Sequence, residues 1–254
     1  MRVTVLGCGT SSGVPVIGCR CPVCTSGEPK NRRRRCAIYL QAGETGILVD
    51  TPPDLRSQCL DAGIDRIDAL LYTHAHADHV NGLDDLRALN FLMGRPLEAW
   101  GDAAVLARIQ ERFGYAFLPP EPGKGWWRPA LVPRPIEGPF RIGEVLIRPF
   151  EQHHGRTPSW GFRVGRFAYS PDVSHLPQDA LAELEGVEVW IVDCLRDRPH
   201  PTHAHLEQTL AWIDEVRPKR AILTHMNHEL DYFDLQARLP LGVEPAYDGL
   251  VLEL

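Results

Sequence analysis

The segment Ala69-Leu70-Leu71-Tyr72-Thr73-His74-Ala75-His76-Ala77-Asp78-His79 runs from an apolar stretch straight into four metal-capable side chains within six positions. The apolar part reads as a short buried strand, and the residues after His79 read as a helix. In an extended segment, residues two apart share a side, so His74 and His76 can face one ion. Asp78 and His79 fall on the turn that opens the helix and can face a second. A lone histidine on an apolar face is usually a satisfied core residue. A His-x-His-x-Asp-His cluster at a strand end is far more specific, and mixed imidazole and carboxylate donors suit zinc, manganese or iron.

Outward from this segment, the chain alternates short Val/Ile/Leu-rich strands with helices. Strands are expected at 3–6, 37–40, 47–50, 69–73, 97–100, 145–150, 162–164, 167–170, 189–193 and 221–224. Helices are expected at 54–62, 81–92, 103–113 and 206–216, the last ended by Pro218. Strands dominate early and helices separate strands later, which fits an α/β sandwich better than a simple doubly wound sheet. Residues 118–140 stand apart. They are rich in proline and glycine, carry Trp126 and Trp127, and can form neither a long helix nor a central strand. They read as an ordered surface loop or as a loop facing the substrate.

The 254 residues are enough for one large domain, residues 1–254, with 118–140 as an insertion. Apolar residues at 44% and charged residues at 24% are ordinary for a globular chain. No apolar run is long enough to cross a bilayer, and the first residues read as a strand, so a cytoplasmic location without membrane contact is the default expectation. A net charge of -6 argues against a general nucleic-acid binder. The run Arg32 to Arg35 reads first as a solvated turn leading into a strand, with a guide for an anionic substrate as the sharper alternative.

Three of the seven cysteines crowd into Gly18-Cys19-Arg20-Cys21-Pro22-Val23-Cys24. That makes a poor disulfide framework and a good metal-ligand spacing. Cys19, Cys21 and Cys24 are one ligand short of a closed structural zinc site, and His228 can supply the fourth if it turns away from His225. Cys8, Cys36, Cys59 and Cys194 read as small buried apolar residues.

The histidine cluster resembles the His-x-His-x-Asp-His motif of the metallo-β-lactamase superfamily, whose fold is an αββα four-layer sandwich. The resemblance implies a later histidine, matched by His154 in His154-Gly155-Arg156, with His153 as a competitor. It implies a bridging aspartate, matched by Asp172, and a final histidine, matched by His225. The implied sets are His74, His76 and His154 on one metal, and Asp78, His79 and His225 on the other, with Asp172 between. Asp50, ending its strand, resembles the carboxylate that fixes the tautomer of a metal-bound imidazole.

The Gly7-x-Gly9-Thr10 opening, the Cys-x-Cys-x-x-Cys cluster and the pair His225 and His228 narrow the resemblance to PhnP-like phosphodiesterases, which open a cyclic phosphate on ribose. This likeness runs from about Val3 to the end of the chain. It implies two catalytic divalent metals (zinc or manganese), one structural zinc and a small phosphorylated substrate. It also matches His203, in Pro201-Thr202-His203, to a histidine that protonates the leaving oxygen. His200 and His205 compete for that role, Asp193 can anchor the loop, and Asp78 can hold or relay a proton. A homodimer is an open expectation. The other readings are a tRNA-maturing nuclease, for which 118–140 is too short and too poor in lysine; a thioesterase or lactamase; and a non-catalytic zinc protein, which an intact ligand set argues against.

Overall fold

The computed structural model describes residues 1–120, 123 and 125–254. Among these residues the strands form two seven-stranded sheets. The first has the order β14 (Val251–Glu253), β1 (Arg2–Gly7), β2 (Ala37–Ala42), β3 (Thr45–Val49), β4 (Ala69–Leu71), β5 (Leu97–Gly101) and β6 (Leu131–Pro135). The second has the order β13 (Val243–Pro245), β12 (Arg220–Thr224), β11 (Val189–Asp193), β10 (Phe167–Ser170), β9 (Thr157–Val164), β8 (Val145–His154) and β7 (Phe140–Ile142). Pairing is antiparallel from β14 to β3 and from β7 to β10. It is parallel from β3 to β6 and from β10 to β13.

Alternation along the strands builds the layers. Ile47, Val49, Ala69 and Leu71 face inward and share one core with Ile147, Phe150, Phe162, Trp190 and Ile222 of the other sheet. Their neighbours Leu48, Leu70 and Tyr72 face outward, against Leu55, Val80, Leu86, Leu89, Val105 and Ile109. Those residues lie on and around α2 (Leu55–Ala62), α3 (Ala77–Val80), α4 (Leu86–Met93) and α5 (Ala103–Phe113). On the far side, α6 (Gln178–Leu184), α7 (Leu206–Val216) and α8 (Tyr232–Arg238) follow the strands of the second sheet, and Leu184, Trp212 and Leu235 pack with it. The result is the expected four-layer αββα sandwich. A short helix, α1 (Pro22–Thr25), carries the cysteines.

The helix expected at 81–92 forms as a tight 3-10 turn at Leu83–Asp85 followed by α4, with α3 a separate turn before it. Gly82 sits at the break. A Cβ there would lie 1.9 Å from the Pro52 carbonyl oxygen, so the chain needs glycine to pass, and glycine weakens a continuous helix. The proline-rich segment contributes β6 at the open edge of its sheet. Pro133 and Pro135 are two apart, so their missing N–H groups lie on the same outer side, while Ile136 donates inward to Gly101. Of 118–140, Glu121, Pro122 and Lys124 lie outside the described residues.

The arginine run is not a solvated turn. Arg33 is buried and donates to the carbonyls of Asn227 (2.9 Å) and Leu230 (2.6 Å) and to Asn31 Oδ1 (3.1 Å). Arg34 bonds Asp61 and Asp248, and Arg35 bonds Asp54. Arg32 alone of the four is exposed. The distinction lies in long-range partners, which a run of like charges does not reveal.

Candidate metal centre

Five parallel strands end at one place, the crevice beyond their carboxyl ends where α/β sheets bind ligands. Asp50 follows β3, Thr73 and His74 follow β4, and Asp172 follows β10. Asp193 ends β11, and His225 follows β12. Asp50, Asp172 and His225 have φ of 65°, 49° and 58°. Left-handed backbone costs an L-residue roughly 1–2 kcal/mol, and such strain persists where the surroundings over-determine it. These turns aim the side chains across the mouth of the sandwich. His154 ends β8, and α3 brings Asp78 and His79 behind its N-cap residue His76.

The side chains converge in two groups. His74 Nε2 and His154 Nε2 lie 3.0 and 3.2 Å from His76 Nδ1. His79 Nε2 is 3.5 Å from Asp78 Oδ2, which is 3.8 Å from His225 Nε2. Asp172 stands between the groups. Its Oδ2 is 3.6 Å from His74 Nε2 and 3.4 Å from His225 Nε2, and its Oδ1 is 3.2 Å from His79 Nε2. The groupings are those the family motif implies, and His154 rather than the exposed His153 joins them.

The far nitrogens of the rings are already engaged. His79 Nδ1 meets Asp50 Oδ2 at 2.7 Å, His154 Nδ1 donates to the Thr202 carbonyl at 2.6 Å, and His74 Nδ1 meets Thr73 Oγ1 at 3.0 Å. Each contact leaves Nε2 directed into the cluster as an acceptor. Asp50 is itself held by the Thr73 N–H and hydroxyl. Gly155 permits the contact at Thr202, since a Cβ there would meet the Thr202 methyl at 2.7 Å.

Burial lowers the pKa of His74, His76 and His154, which favours the neutral form that coordinates metals. Asp78 and Asp172 are buried, which favours protonation, yet His79 and His225 outweigh burial and hold both carboxyls below their usual range. His79 shows the reverse balance: burial opposes its charge, but Asp172, Asp50 and Asp78 raise its pKa well above the ordinary value. The carboxylates around His79 thus make the second group a place that favours positive charge. His79 Nε2, His225 Nε2 and Asp172 Oδ1 are buried without hydrogen-bond partners. Orphaned polar atoms of this kind are costly, and acceptors crowded this closely suit divalent cations. The residues fit the metals the family implies.

His203 lies beside this cluster, buried, with Nδ1 2.9 Å from Asp193 Oδ2. Its ring centroid is 4.5 Å from that of His154 and 4.4 Å from that of His225. Burial opposes its charge, but Asp193 prevails and pushes its pKa up to about 9. His200 bonds only its neighbour Thr202 among the described contacts, and His205 stands at the N-terminal boundary of α7 without a side-chain capping bond.

A second cluster joins the sulfurs of Cys19, Cys21 and Cys24, all within 4.8 Å of one another. The Cys24 N–H lies 3.4 Å from Cys21 Sγ and lowers that thiol's pKa, while burial pushes Cys24 up to about 11. His228 stands alongside, but its ring does not complete the group: its carbonyl oxygen lies 3.7 Å from Cys21 Sγ. Its Nδ1 is buried without a partner. Sequence reasoning missed the Thr73 hydroxyl and the Thr202 carbonyl. Thr73 adjoins the motif and offers a signal, whereas a backbone carbonyl 48 residues from its histidine offers none.

This arrangement at the mouth of a four-layer sandwich defines a metallo-β-lactamase-fold hydrolase. The β-lactamase superfamily domain matches residues 45–226, and the chain belongs to that family. Within it the chain is PhnP-like: a crystal structure described as a new diphosphatase from the PhnP family has a TM-score of 0.93 at 35% identity, covering 100% of this chain and 97% of that one. A Porphyromonas gingivalis protein named octanoyltransferase is 35% identical over 98% of this chain, which spans only 51% of that longer protein. Coenzyme PQQ synthesis protein B of Methylorubrum populi is 30% identical, with 100% of both chains covered.

Proposed function

We propose that this chain is a metal-dependent phosphodiesterase acting on a small phosphorylated substrate, with a cyclic ribose phosphate the first candidate. The observation that carries this reading is the pairing of the two ligand groups with His203, a buried, charged imidazole at their side. His74, His76 and His154 would hold one divalent cation, Asp78, His79 and His225 a second, and Asp172 faces both. Bound zinc or manganese would make water nucleophilic near neutral pH and offset the negative charge developing on phosphorus. Asp50, Thr73 and the Thr202 carbonyl keep the imidazoles oriented. Asp193 keeps His203 protonated near neutral pH, and the remaining nitrogen, Nε2, delivers that proton to the departing oxygen. Cys19, Cys21 and Cys24, with His228 beside them, would hold a structural zinc.

The similarity to a diphosphatase of the PhnP family supports phosphoryl chemistry and raises a P–O–P linkage as a second reading. The octanoyltransferase name belongs to a protein of which this chain spans 51%, and it leaves acyl chemistry as an alternative for the assay to separate. The test is turnover by the zinc- or manganese-loaded protein of cyclic ribose phosphates, cyclic nucleotides, nucleotide diphosphate esters and acyl thioesters. Highest kcat/KM on a phosphodiester supports the proposal, preference for a diphosphate favours the second reading, and preference for a thioester rejects both.

A further inference from the structure

Two buried polar side chains on the β8–β9 hairpin have no part in the metal and proton chemistry described above. Gln152 of β8 and Ser159 of β9 face each other in register, and both are fully buried. Other inward positions of the same two strands carry Ile147, Phe150 and Phe162. A polar pair is costly there unless its atoms are bonded, and Gln152 Oε1 has no partner among the described residues. Packing alone gives no reason for such a pair.

The hydrogen bonds give one. Gln152 Nε2 donates to the Pro171 carbonyl at 2.5 Å and to Ser159 Oγ at 3.2 Å, and Ser159 Oγ donates to the Asp172 carbonyl at 2.8 Å. The direction of these bonds is fixed, because both carbonyls can only accept. β9 pairs with β10 as far as Tyr169, opposite Phe162. Beyond that point the side chains of the hairpin, not its backbone, hold the turn. The two carbonyls belong to the peptide groups on either side of the Asp172 Cα, so holding both fixes the direction in which the carboxylate leaves the chain. Asp172 has a φ of 49°, and such strained backbone persists only where its surroundings over-determine it. Gln152 also lies two residues before His154 on the inward face of β8. One strand therefore carries a ligand of the first group and the hook on Asp172, whose Oδ2 stands 3.9 Å from His154 Nε2.

We propose that Gln152 and Ser159 are positioning residues for Asp172: by clamping the peptide groups on both sides of it, they set its carboxylate between the two ligand groups. This role rests on the two-cation reading of the centre and on no particular substrate. The experiment replaces the metals with cobalt(II), measures its affinity by competition with a chelator, and follows its ligand geometry by visible absorption. Gln152→Met keeps the volume of the side chain and removes its donors. Ser159→Ala removes a single oxygen, which keeps the test decisive should Gln152→Met fail to fold. Each should weaken cobalt binding at the histidine centre by about tenfold to a hundredfold, the usual effect of losing a group that orients a metal ligand, and should alter the absorption bands. Asn90→Leu is the control. It removes a buried amide that bonds the Arg95 and Ala130 backbone on the outer side of the first sheet. It should lower stability in urea and leave cobalt affinity and bands as in the wild type. Wild-type affinity and bands in both hairpin variants, or equal weakening in Asn90→Leu, overturns the positioning role. A wild type with no cobalt absorption from the histidine centre overturns the two-cation reading itself, and the positioning role with it.

Discussion

Replacing His203 with alanine separates proton donation from the rest of the mechanism. The side chain is buried and fixed by one strong contact, Nδ1 to Asp193 Oδ2 at 2.9 Å. Removing it does not strand the carboxylate completely, because Asp193 Oδ2 also accepts from the Val173 N–H at 2.9 Å. The stability cost should therefore stay near 1–3 kcal/mol, the range for a partly unpaired buried acceptor. The catalytic cost should be larger. A positioned acid contributes about a hundredfold to ten-thousandfold, which is ~3–5 kcal/mol of barrier. That loss should appear in full for a sugar alkoxide, which leaves poorly. It should shrink toward unity for nitrophenolate, which departs without a proton. The assay is kcat for His203→Ala on both substrates, with metal content measured by elemental analysis. Equal losses on the two substrates would mean that His203 only positions groups. A leaving-group dependence in His205→Ala or His200→Ala instead would reassign the donor.

Four further outcomes can be checked. His76→Ala and Asp78→Ala should each remove metal and nearly all hydrolysis while the chain stays folded; full activity in either would end the two-metal reading. Cys21→Ser should lower zinc by about one equivalent and reduce stability, since such a site exists only in the folded chain; unchanged stoichiometry from elemental analysis would refute it. Arg33→Ala removes a charged donor from two buried carbonyls and should cost about 2–5 kcal/mol in urea unfolding. A shift within about 0.5 kcal/mol, typical of an ordinary surface site, would show that Arg33 is dispensable. Added zinc should slow hydrogen exchange in β4 and β12 together, and protection of one strand alone would refute their coupling.

Much of the centre was legible because its residues occur in compact local motifs. His74 through His79 sit together, Asp172 and His225 each follow an apolar run that marks a strand end, and His154 is matched through the His154-Gly155-Arg156 run that resembles the family pattern. Helices 103–113 and 206–216 were equally plain, each amphipathic, the second closed by Pro218. What stayed hidden depends on tertiary partners. The break at Gly82 reflects the nearby Pro52 carbonyl. The short edge strands β7, β13 and β14 are three residues each, too short to show a period. The burial of Arg33 follows from acceptors near residue 230, nearly two hundred positions away. The membrane expectation corresponds to one plain observation: no helix among the described residues is long and apolar enough to span a bilayer.

The division of each ligand group between the two sheets bears on the order in which the molecule assembles. His74 and His76 belong to the first sheet and His154 to the second; Asp78 and His79 belong to the first and His225 to the second. A growing chain therefore completes its first group only at residue 154 and its second only at residue 225. Contacts between residues so far apart in sequence form slowly and late. Their formation also gathers Asp50, Asp78, Asp172 and Asp193 into one small volume, so like-charge repulsion resists the final approach of the halves. A bound cation would offset that repulsion, so metal binding would favour the closed sandwich, and a half-built chain holds neither group complete.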